Sequence, residues 1–248
     1  MLEVEVADRV DPLLPARAWF AAQGWTPFPF QEEVWRAFAH GASGLVHAPT
    51  GMGKTYAAAL PPMLFGATDG ADDSPPLSLL WITPLRALAG DTGLALTRAA
   101  ADLAPQWTID VRTGDTGTAA RARQSRRLPT ALVTTPESLT LFLARADWQE
   151  RFAHLTAIVV DEWHELMGTK RGVQTELALA RLRGLHPKLR VWGLSATLAN
   201  LDEALACLVG PAAVARAIRV RVSMRRRSSS TACGPGRSNA SPGRATSG

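Results

Sequence analysis

The sequence predicts an α/β protein in which a mostly parallel sheet carries helices on both faces. Short apolar runs of strand type recur along the chain, and stretches of helical character separate them. This alternation is typical of parallel sheets, because their strands are joined by helical crossovers. The 248 residues suffice for one large domain of this kind, and no internal repeat divides them.

Six strands and eight helices are predicted, in alternation. The strands are 45–47, 79–83, 108–112, 131–134, 157–160 and 191–194. The helices are 15–23, 31–39, 55–64, 85–103, 116–127, 137–144, 173–185 and 202–208. Residues 66–76, rich in Gly, Asp and Pro, are predicted to form an exposed connection.

The composition changes near Met224, which predicts that the folded domain occupies 1–222. Residues 223–248 consist almost wholly of Arg, Ser, Gly, Ala, Pro and Thr. Such a segment buries too little apolar surface to offset the entropy of ordering. We interpret 223–248 as a disordered, non-native tail, and binding of RNA or phosphates through its arginines is the alternative.

The net charge of +5 comes from this tail. Five of the 27 Lys and Arg residues lie in 223–248, which contains no acid, so 1–222 carry 22 basic and 22 acidic side chains. Global charge therefore does not predict a polyanion partner. The two cysteines, Cys207 and Cys233, offer neither a disulfide framework nor metal-ligand spacing. Without a secretory leader or an apolar run of membrane-spanning length, a cytoplasmic location is predicted.

A loop with two glycines joins the predicted strand 45–47 to the predicted helix 55–64. Its sequence is Ala48-Pro49-Thr50-Gly51-Met52-Gly53-Lys54-Thr55, with alanine where the strict form of the motif has its first glycine. Backbone N–H groups at such a helix start surround nucleotide phosphates. We predict that Lys54 reaches the β- and γ-phosphates and that the Thr55 hydroxyl holds Mg²⁺. The predicted nucleotide-binding residues of the loop are Ala48, Thr50, Gly51, Met52, Gly53, Lys54 and Thr55.

Two adjacent carboxylates follow the apolar run 157–160. Ligands bind at the carboxyl ends of strands in open α/β sheets. We therefore predict that Asp161 serves Mg²⁺ and that Glu162 polarises an attacking water. A solvated strand end or a helix N-cap is the alternative for such a pair, and the upstream phosphate loop disfavours it. Together the two motifs predict nucleotide hydrolysis.

Eight short stretches, in chain order, resemble the motifs of superfamily 2 DExH-box helicases. Within that superfamily they are most similar to the large-helicase-related group and its bacterial ligase-associated branch. The resemblance spans 28–210. It rests on Phe30-Gln31, the loop 48–55, Thr83-Pro84-Leu85-Arg86-Ala87-Leu88, Thr113-Gly114-Asp115-Thr116, Thr135-Pro136-Glu137-Ser138, Asp161-Glu162-Trp163-His164-Glu165, Lys170-Arg171-Gly172 and Ser195-Ala196-Thr197.

The resemblance implies a RecA-like P-loop NTPase domain that uses ATP and Mg²⁺. It implies that Gln31 recognises the adenine edge, for which an amide able to donate and accept is suited. It also implies that His164, a predicted catalytic residue with Lys54 and the acidic pair, senses the γ-phosphate. Ser195 and Thr197 would then relay its loss to the bound strand. An ordinary helix residue is the alternative for Gln31, and a metal ligand is the disfavoured alternative for His164.

The resemblance further implies a nucleic-acid track at three strand-to-helix turns. Small hydroxyls and free backbone N–H groups at such turns grip backbone phosphate without reading bases. Helix capping by the same Thr and Ser side chains is the alternative, and both roles are compatible. A further basic cluster, Arg121, Arg123, Arg126 and Arg127, is interpreted as a solvated face rather than a nucleic-acid site. The track residues are Pro84, Arg86, Thr113, Gly114, Thr135, Pro136, Glu137 and Ser138.

A complete member of this group has a second RecA-like lobe, which supplies arginines that stabilise charge on the γ-phosphate. The chain ends soon after Ser195-Ala196-Thr197, so we predict the first motor lobe of an ATP-dependent DNA helicase or translocase, poorly active alone. The expected partners are single-stranded or duplex DNA, with RNA as the alternative, the second lobe, and a DNA ligase or nuclease. A role in DNA repair is also implied.

Two other functions remain open at this point. One is a module that binds nucleotide or nucleic acid without catalysis. The other is a P-loop kinase or GTPase, which is disfavoured because the sequence lacks a guanine-specifying motif.

Overall fold

A computed structural model describes residues 11–66, 75–198, 200–211 and 213–222. Its centre is a sheet of seven strands, all parallel to their neighbours. Their order across the sheet is β3-β4-β2-β5-β6-β1-β7. The strands are β1 (Gly44–His47), β2 (Leu79–Ile82), β3 (Ile109–Arg112), β4 (Ala131–Thr134), β5 (Ala157–Val160), β6 (Arg190–Ser195) and β7 (Ile218–Arg221).

Helices join these strands, and a 3₁₀ turn at Val214–Arg216 precedes β7. Three helices begin at a side-chain cap: Thr135 caps α6, Thr169 caps α9 and Asn200 caps α10. A proline lies in the first turn of α1, α2 and α6. The helices are α1 (Leu14–Ala22), α2 (Pro29–Ala39), α3 (Lys54–Phe65), α4 (Arg86–Leu103), α5 (Thr118–Arg126), α6 (Pro136–Leu143), α7 (Trp148–Arg151), α8 (Trp163–Leu166), α9 (Lys170–Leu185) and α10 (Leu201–Val209).

The hydrophobic core lies in two layers, one on each face of the sheet. Successive strand residues point to opposite faces, so Trp81 of β2 packs with α1 to α4, while Leu80 and Ile82 pack with α6 and α8 to α10. Both layers contain fully buried tryptophans, Trp35 on one side and Trp163 on the other. Burying a side chain of this size stabilises the fold by roughly 3 kcal/mol.

The predicted fold class is confirmed, and every predicted strand and helix has a counterpart in the described residues. The sequence interpretation missed β7, the short helices α7 and α8 and the 3₁₀ turn. Most of the predicted connection at 66–76 and the whole predicted tail at 223–248 lie outside the described residues. Within the part of the chain that the structure describes, no helix has the length and apolar character needed to cross a bilayer.

Candidate functional site

The glycine loop runs from the carboxyl end of β1 to the start of α3. Gly51 and Gly53 have φ angles of +82° and +75°, a region that a side chain disfavours. At Gly53 the space is limiting as well, since a Cβ would lie 2.8 Å from Gln31 Nε2. Lys54 begins α3 and is only 7% exposed, and its Nζ donates to the carbonyls of Ala48 at 2.8 Å and Pro49 at 3.2 Å. The loop therefore curls around its own lysine.

The acidic pair lies at the carboxyl end of β5. Asp161 is 8% exposed; its Oδ1 accepts from the Glu162 N–H at 2.9 Å and its Oδ2 from the Trp81 indole at 3.3 Å. Glu162 has a φ of +45°, the one positive φ among the described non-glycine residues. A residue of this kind is strained, and such strain clusters at functional sites. It turns the chain sharply into α8, so the two carboxylates face the cleft described next.

One cleft of about 400 Å³ contains both motifs. Its walls come from the loop, from β5 and from one face of α4. Lys54 and Asp161 thus share a crevice, as the sequence interpretation requires. Sites of roughly 300 Å³ or more accommodate small-molecule ligands. The lining residues are Thr50, Gly51, Gly53, Lys54, Thr55, Tyr56, Leu88, Asp91, Thr92, Ala95, Asp161 and Glu162.

Electrostatics in the cleft follow from burial. Burial raises the pKa of the Asp161 carboxyl to about 6, and the negative charge of Glu162 adds to the rise. The Glu162 N–H, the Trp81 indole and Lys54 oppose it. Burial lowers the pKa of the Lys54 ammonium, which the two carboxylates partly restore. Each charge is therefore held in a place where a ligand of opposite charge would stabilise it.

The residues present fit a magnesium nucleotide. The Thr55 hydroxyl and the Asp161 carboxylate are hard oxygen donors, the type that Mg²⁺ prefers. Glu162 Oε2 is enclosed and accepts no hydrogen bond among the described residues, although His164 Nδ1 lies 3.5 Å away. A buried oxygen without a donor is rare in folded proteins. Such an acceptor suits a water molecule in front of a phosphate.

Gln31 lies beneath the loop rather than facing open space. It is 1% exposed; its Oε1 accepts from the Phe28 N–H at 2.8 Å, and its Nε2 donates to the Gly53 carbonyl at 2.9 Å. The side chain therefore ties the start of α2 to the glycine loop. In this arrangement both ends of its amide have internal partners, and its adenine-reading role stays a prediction.

His164, Ser195 and Thr197 form a chain of polar contacts next to the acidic pair. His164 Nδ1 lies 3.1 Å from Ser195 Oγ, and that hydroxyl also donates to the Thr197 carbonyl at 3.1 Å. The His164 ring contacts Glu165 through Nε2 at 3.3 Å. Ser195 ends β6, directly beside β1 and β5 in the sheet. The geometry thus connects Glu162 to β6 through one imidazole.

The predicted track residues follow β2, β3 and β4, which are neighbours in the sheet. Arg86 and Glu137 are exposed, and each forms an ion pair, Arg86 with Asp115 at 3.3 Å and Glu137 with Arg171 at 2.5 Å. Pro84, Thr113, Thr135, Pro136 and Ser138 are buried, while Gly114 is exposed.

Thr135 Oγ1 accepts from the Ser138 N–H at 3.4 Å, so the capping role considered for these residues is present. The phosphate-binding role stays a prediction. Arg121 belongs to the basic cluster that was interpreted as a solvated face. Its Nε and Nη2 donate to the carbonyls of Thr116 and Gly114, and these bonds stabilise a turn of the predicted track.

Sequence reasoning missed the α4 wall of the cleft and the Trp81 contact. Leu88, Asp91, Thr92 and Ala95 are spaced as i, i+3, i+4 and i+7, which places them on one face of a helix. Asp91 and Thr92 are polar residues on an otherwise apolar helix face, and this pattern could have indicated that the face lines a site. No local pattern marks the Trp81 contact, because it joins residues 80 positions apart.

The comparison with protein families decides the assignment. Residues 28–204 match the DEAD/DEAH box helicase family. The chain belongs to this family. A relative in Mycolicibacterium smegmatis, "Lhr helicase/ probable uracil glycosylase", is 38% identical over 208 residues, which cover 79% of this chain and 14% of the relative. In Methanothermobacter thermautotrophicus, "ATP-dependent helicase Lhr-Core" is 36% identical over 182 residues, covering 68% of this chain and 21% of the relative.

Solved structures of DEAD/DEAH box helicases give the same result. The structure of Mycobacterium smegmatis helicase Lhr bound to ssDNA and AMP-PNP superposes with a TM-score of 0.73 at 33% identity. The superposed region covers 86% of this chain and 28% of the mycobacterial Lhr chain. The chain thus carries a helicase domain with the RecA-like fold, similar to Lhr helicases, and spans only a small part of the relatives it matches. The ligase-associated branch stays a prediction.

Proposed function

We propose that this chain is the nucleotide-binding lobe of an ATP-dependent DNA helicase or translocase. The observation that carries the proposal is the cleft that Lys54, Thr55, Asp161 and Glu162 line together. The residues of the predicted track follow β2, β4 and β3, which succeed one another outward from β5, at the same edge of the sheet. The ssDNA and AMP-PNP bound to the mycobacterial Lhr support the same two kinds of ligand here.

In the proposed reaction the cleft residues bind ATP and orient water. Lys54 exchanges the Ala48 and Pro49 carbonyls for the terminal phosphates, and the loop N–H groups hold the remaining phosphate oxygens. Thr55 and Asp161 hold Mg²⁺, which when bound neutralises charge on the phosphates. Glu162 orients the attacking water and accepts its proton through the enclosed Oε2.

Coupling to the nucleic acid proceeds through His164 and Ser195. His164 lies between Glu162 and Ser195, so a change at the γ-phosphate alters the contacts of both. The Ser195 hydroxyl can exchange partners between the imidazole and the Thr197 carbonyl without a large movement.

We propose that the track binds backbone phosphates of single-stranded or duplex DNA, in a pathway of DNA repair. A DNA ligase or nuclease is the proposed partner.

Glu162→Gln tests catalysis separately from binding. Single-turnover hydrolysis with the 248-residue chain in excess over ATP detects even slow chemistry. We expect Glu162→Gln to slow it by about 10²–10⁴-fold, since a general base contributes that much, while ATP affinity is retained. Lys54→Ala should lose ATP affinity instead, and Glu150→Gln, on the distant helix α7, should change neither quantity. If wild type and Glu162→Gln hydrolyse ATP equally slowly, the chain is a non-catalytic binding module.

A further inference from the structure

A second cleft lies at the amino edge of the sheet, opposite the nucleotide cleft. It measures about 400 Å³ and is formed by the segments that precede β1, β6 and β7, three strands that lie side by side. Its ionisable lining residues are His40, Lys188, Arg190 and Arg216. None of the described residues that line it is acidic. Two separate segments of the chain thus bring Lys and Arg side chains to one small cavity, and a third contributes a histidine.

Arg190 is one of the cations that line this cleft. Its guanidinium stacks over the Phe38 ring, with Cζ 4.5 Å from the ring centroid. Nε and Nη1 are buried and have no hydrogen-bond partner among the described residues. Burial also lowers the pKa of this guanidinium, which no carboxylate offsets. Buried guanidinium N–H groups without a partner are unusual, because buried polar groups are normally hydrogen-bonded.

Other arginine-containing clefts of the domain differ in this respect. Arg151 lines one together with Asp147 and donates to it at 2.6 Å. Arg123 lines another together with Asp110 and donates to it at 2.8 Å. In both, the protein supplies its own anion. The cleft around Arg190 lacks such an internal anion, so its positive charge is available to a ligand.

We propose that the Arg190 cleft binds a phosphate group, either free phosphate or a phosphodiester of a nucleic-acid strand. A guanidinium is a strong hydrogen-bond donor to phosphate oxygens and keeps its charge at any physiological pH. Lys188, from the same segment, and Arg216, from the segment before β7, add positive charge. Cations on several sides fit a compact group with several anionic oxygens better than a single carboxylate. The site is separate from the P-loop and from the predicted track, because it lies at the other edge of the sheet.

The Arg190 Nε–Hε resonance provides a local readout, since Nε is shielded from solvent. In the 248-residue chain labelled with ¹⁵N-arginine, this resonance is assigned by its loss in Arg190→Lys. Inorganic phosphate and oligodeoxythymidylate are then titrated separately. We expect at least one of them to shift the resonance to saturation, and Arg216→Glu to weaken that binding about tenfold or more.

Two controls locate the effect. Arg181→Glu reverses an exposed charge on α9 that stacks over Trp148, and it should leave the titration unchanged. Lys54→Ala, which impairs the P-loop, should also leave it unchanged, so a failure of the proposed ATP site does not affect this test.

Saturation by phosphate alone identifies free phosphate as the ligand, and saturation by the oligonucleotide identifies a strand backbone. Oligoglutamate is titrated in the same way as a carboxylate control. No saturable shift, an equal response in Arg216→Glu, or saturation only by oligoglutamate would overturn the proposal.

Discussion

Asp161 is a carboxyl group held where its negative charge is unfavourable. It is enclosed by the sheet and lies beside Glu162, and these two causes raise its pKa to about 6. In the unfolded chain the pKa of an aspartate is near 3.8. The folded state therefore binds a proton more tightly than the unfolded state between these two values. Because its negative charge is poorly compensated, the Asp161 carboxylate is a strong ligand for a cation.

The free energy of unfolding of the ligand-free chain should depend on pH because of the Asp161 carboxyl. Because the folded-state pKa is raised, the stabilisation is fully present below pH 3.8 and is lost as the pH rises through about 6. Asp161→Asn removes the titration. From pH 4 to pH 7, wild type should lose about 2 kcal/mol of unfolding free energy relative to Asp161→Asn. Urea unfolding at several pH values measures this, and parallel profiles for the two proteins would contradict it.

Residues of the site were predictable where their chemistry is encoded locally. The glycines at 51 and 53, Lys54 and Asp161 all belong to short contiguous patterns, and the structure brings them into one cleft. Trp81 and Asp91 were not found, because their place in the site depends on which strand and which helix lie next to β5. The sequence patterns give the order of elements along the chain, and this adjacency arises only in the folded sheet.

At the scale of elements, the start of α5 supports the turn at 113–116. Arg121 donates to the carbonyls of Thr116 at 2.6 Å and Gly114 at 2.5 Å. On the other side of the turn, the Arg86 guanidinium fills the space where a Gly114 side chain would be, 2.9 Å from its Cβ position. One arginine thus supports the turn and the other lies exposed beside it.

These two arginines should affect DNA binding differently. Arg86→Ala removes a charge available to phosphate, so it should weaken binding of single-stranded DNA and reduce the slope of log K against log salt by roughly one. Arg121→Ala should weaken binding several-fold while keeping the slope, since it loosens the turn. Fluorescence anisotropy at several salt concentrations measures both, with Arg126→Ala on the same helix as control. An equal loss of slope in both variants would show that Arg121 contacts phosphate directly.

The order of elements was predictable from periodicity, and the exceptions have physical reasons. β7 alternates Ile218 and Val220 with exposed arginines, so it lacks the continuous apolar run of the central strands. It lies beside β1 at the edge of the sheet that the described residues form, so only one of its sides is paired there. α7 and α8 have four residues each, too few for a helical period to be recognised.

At the scale of the whole molecule, the nucleotide cleft is built from one lobe. Its lining includes Lys54 but no arginine among the described residues. In nucleotide hydrolysis by related P-loop proteins, an arginine that stabilises charge on the γ-phosphate contributes about 10³-fold or more. We therefore propose that a second lobe supplies such an arginine.

Steady-state ATPase assays test this requirement. We expect the 248-residue chain to turn over ATP about 10³-fold more slowly than a two-lobed DEAD/DEAH box helicase, with little stimulation by single-stranded DNA. The controls are Lys54→Ala, which reports contaminating ATPases, and the same assay without DNA. Robust turnover that depends on DNA would mean that this lobe is catalytically sufficient.

The central claim is that the glycine loop and the acidic pair hold one metal-nucleotide complex. A crystal structure of the chain with AMP-PNP and Mn²⁺, recorded at the manganese absorption edge, tests it most directly. We predict an anomalous peak between the Thr55 hydroxyl and the Asp161 carboxylate, with the terminal phosphates at Lys54. Nucleotide bound outside this cleft, or a metal peak away from both oxygen ligands, would contradict the account.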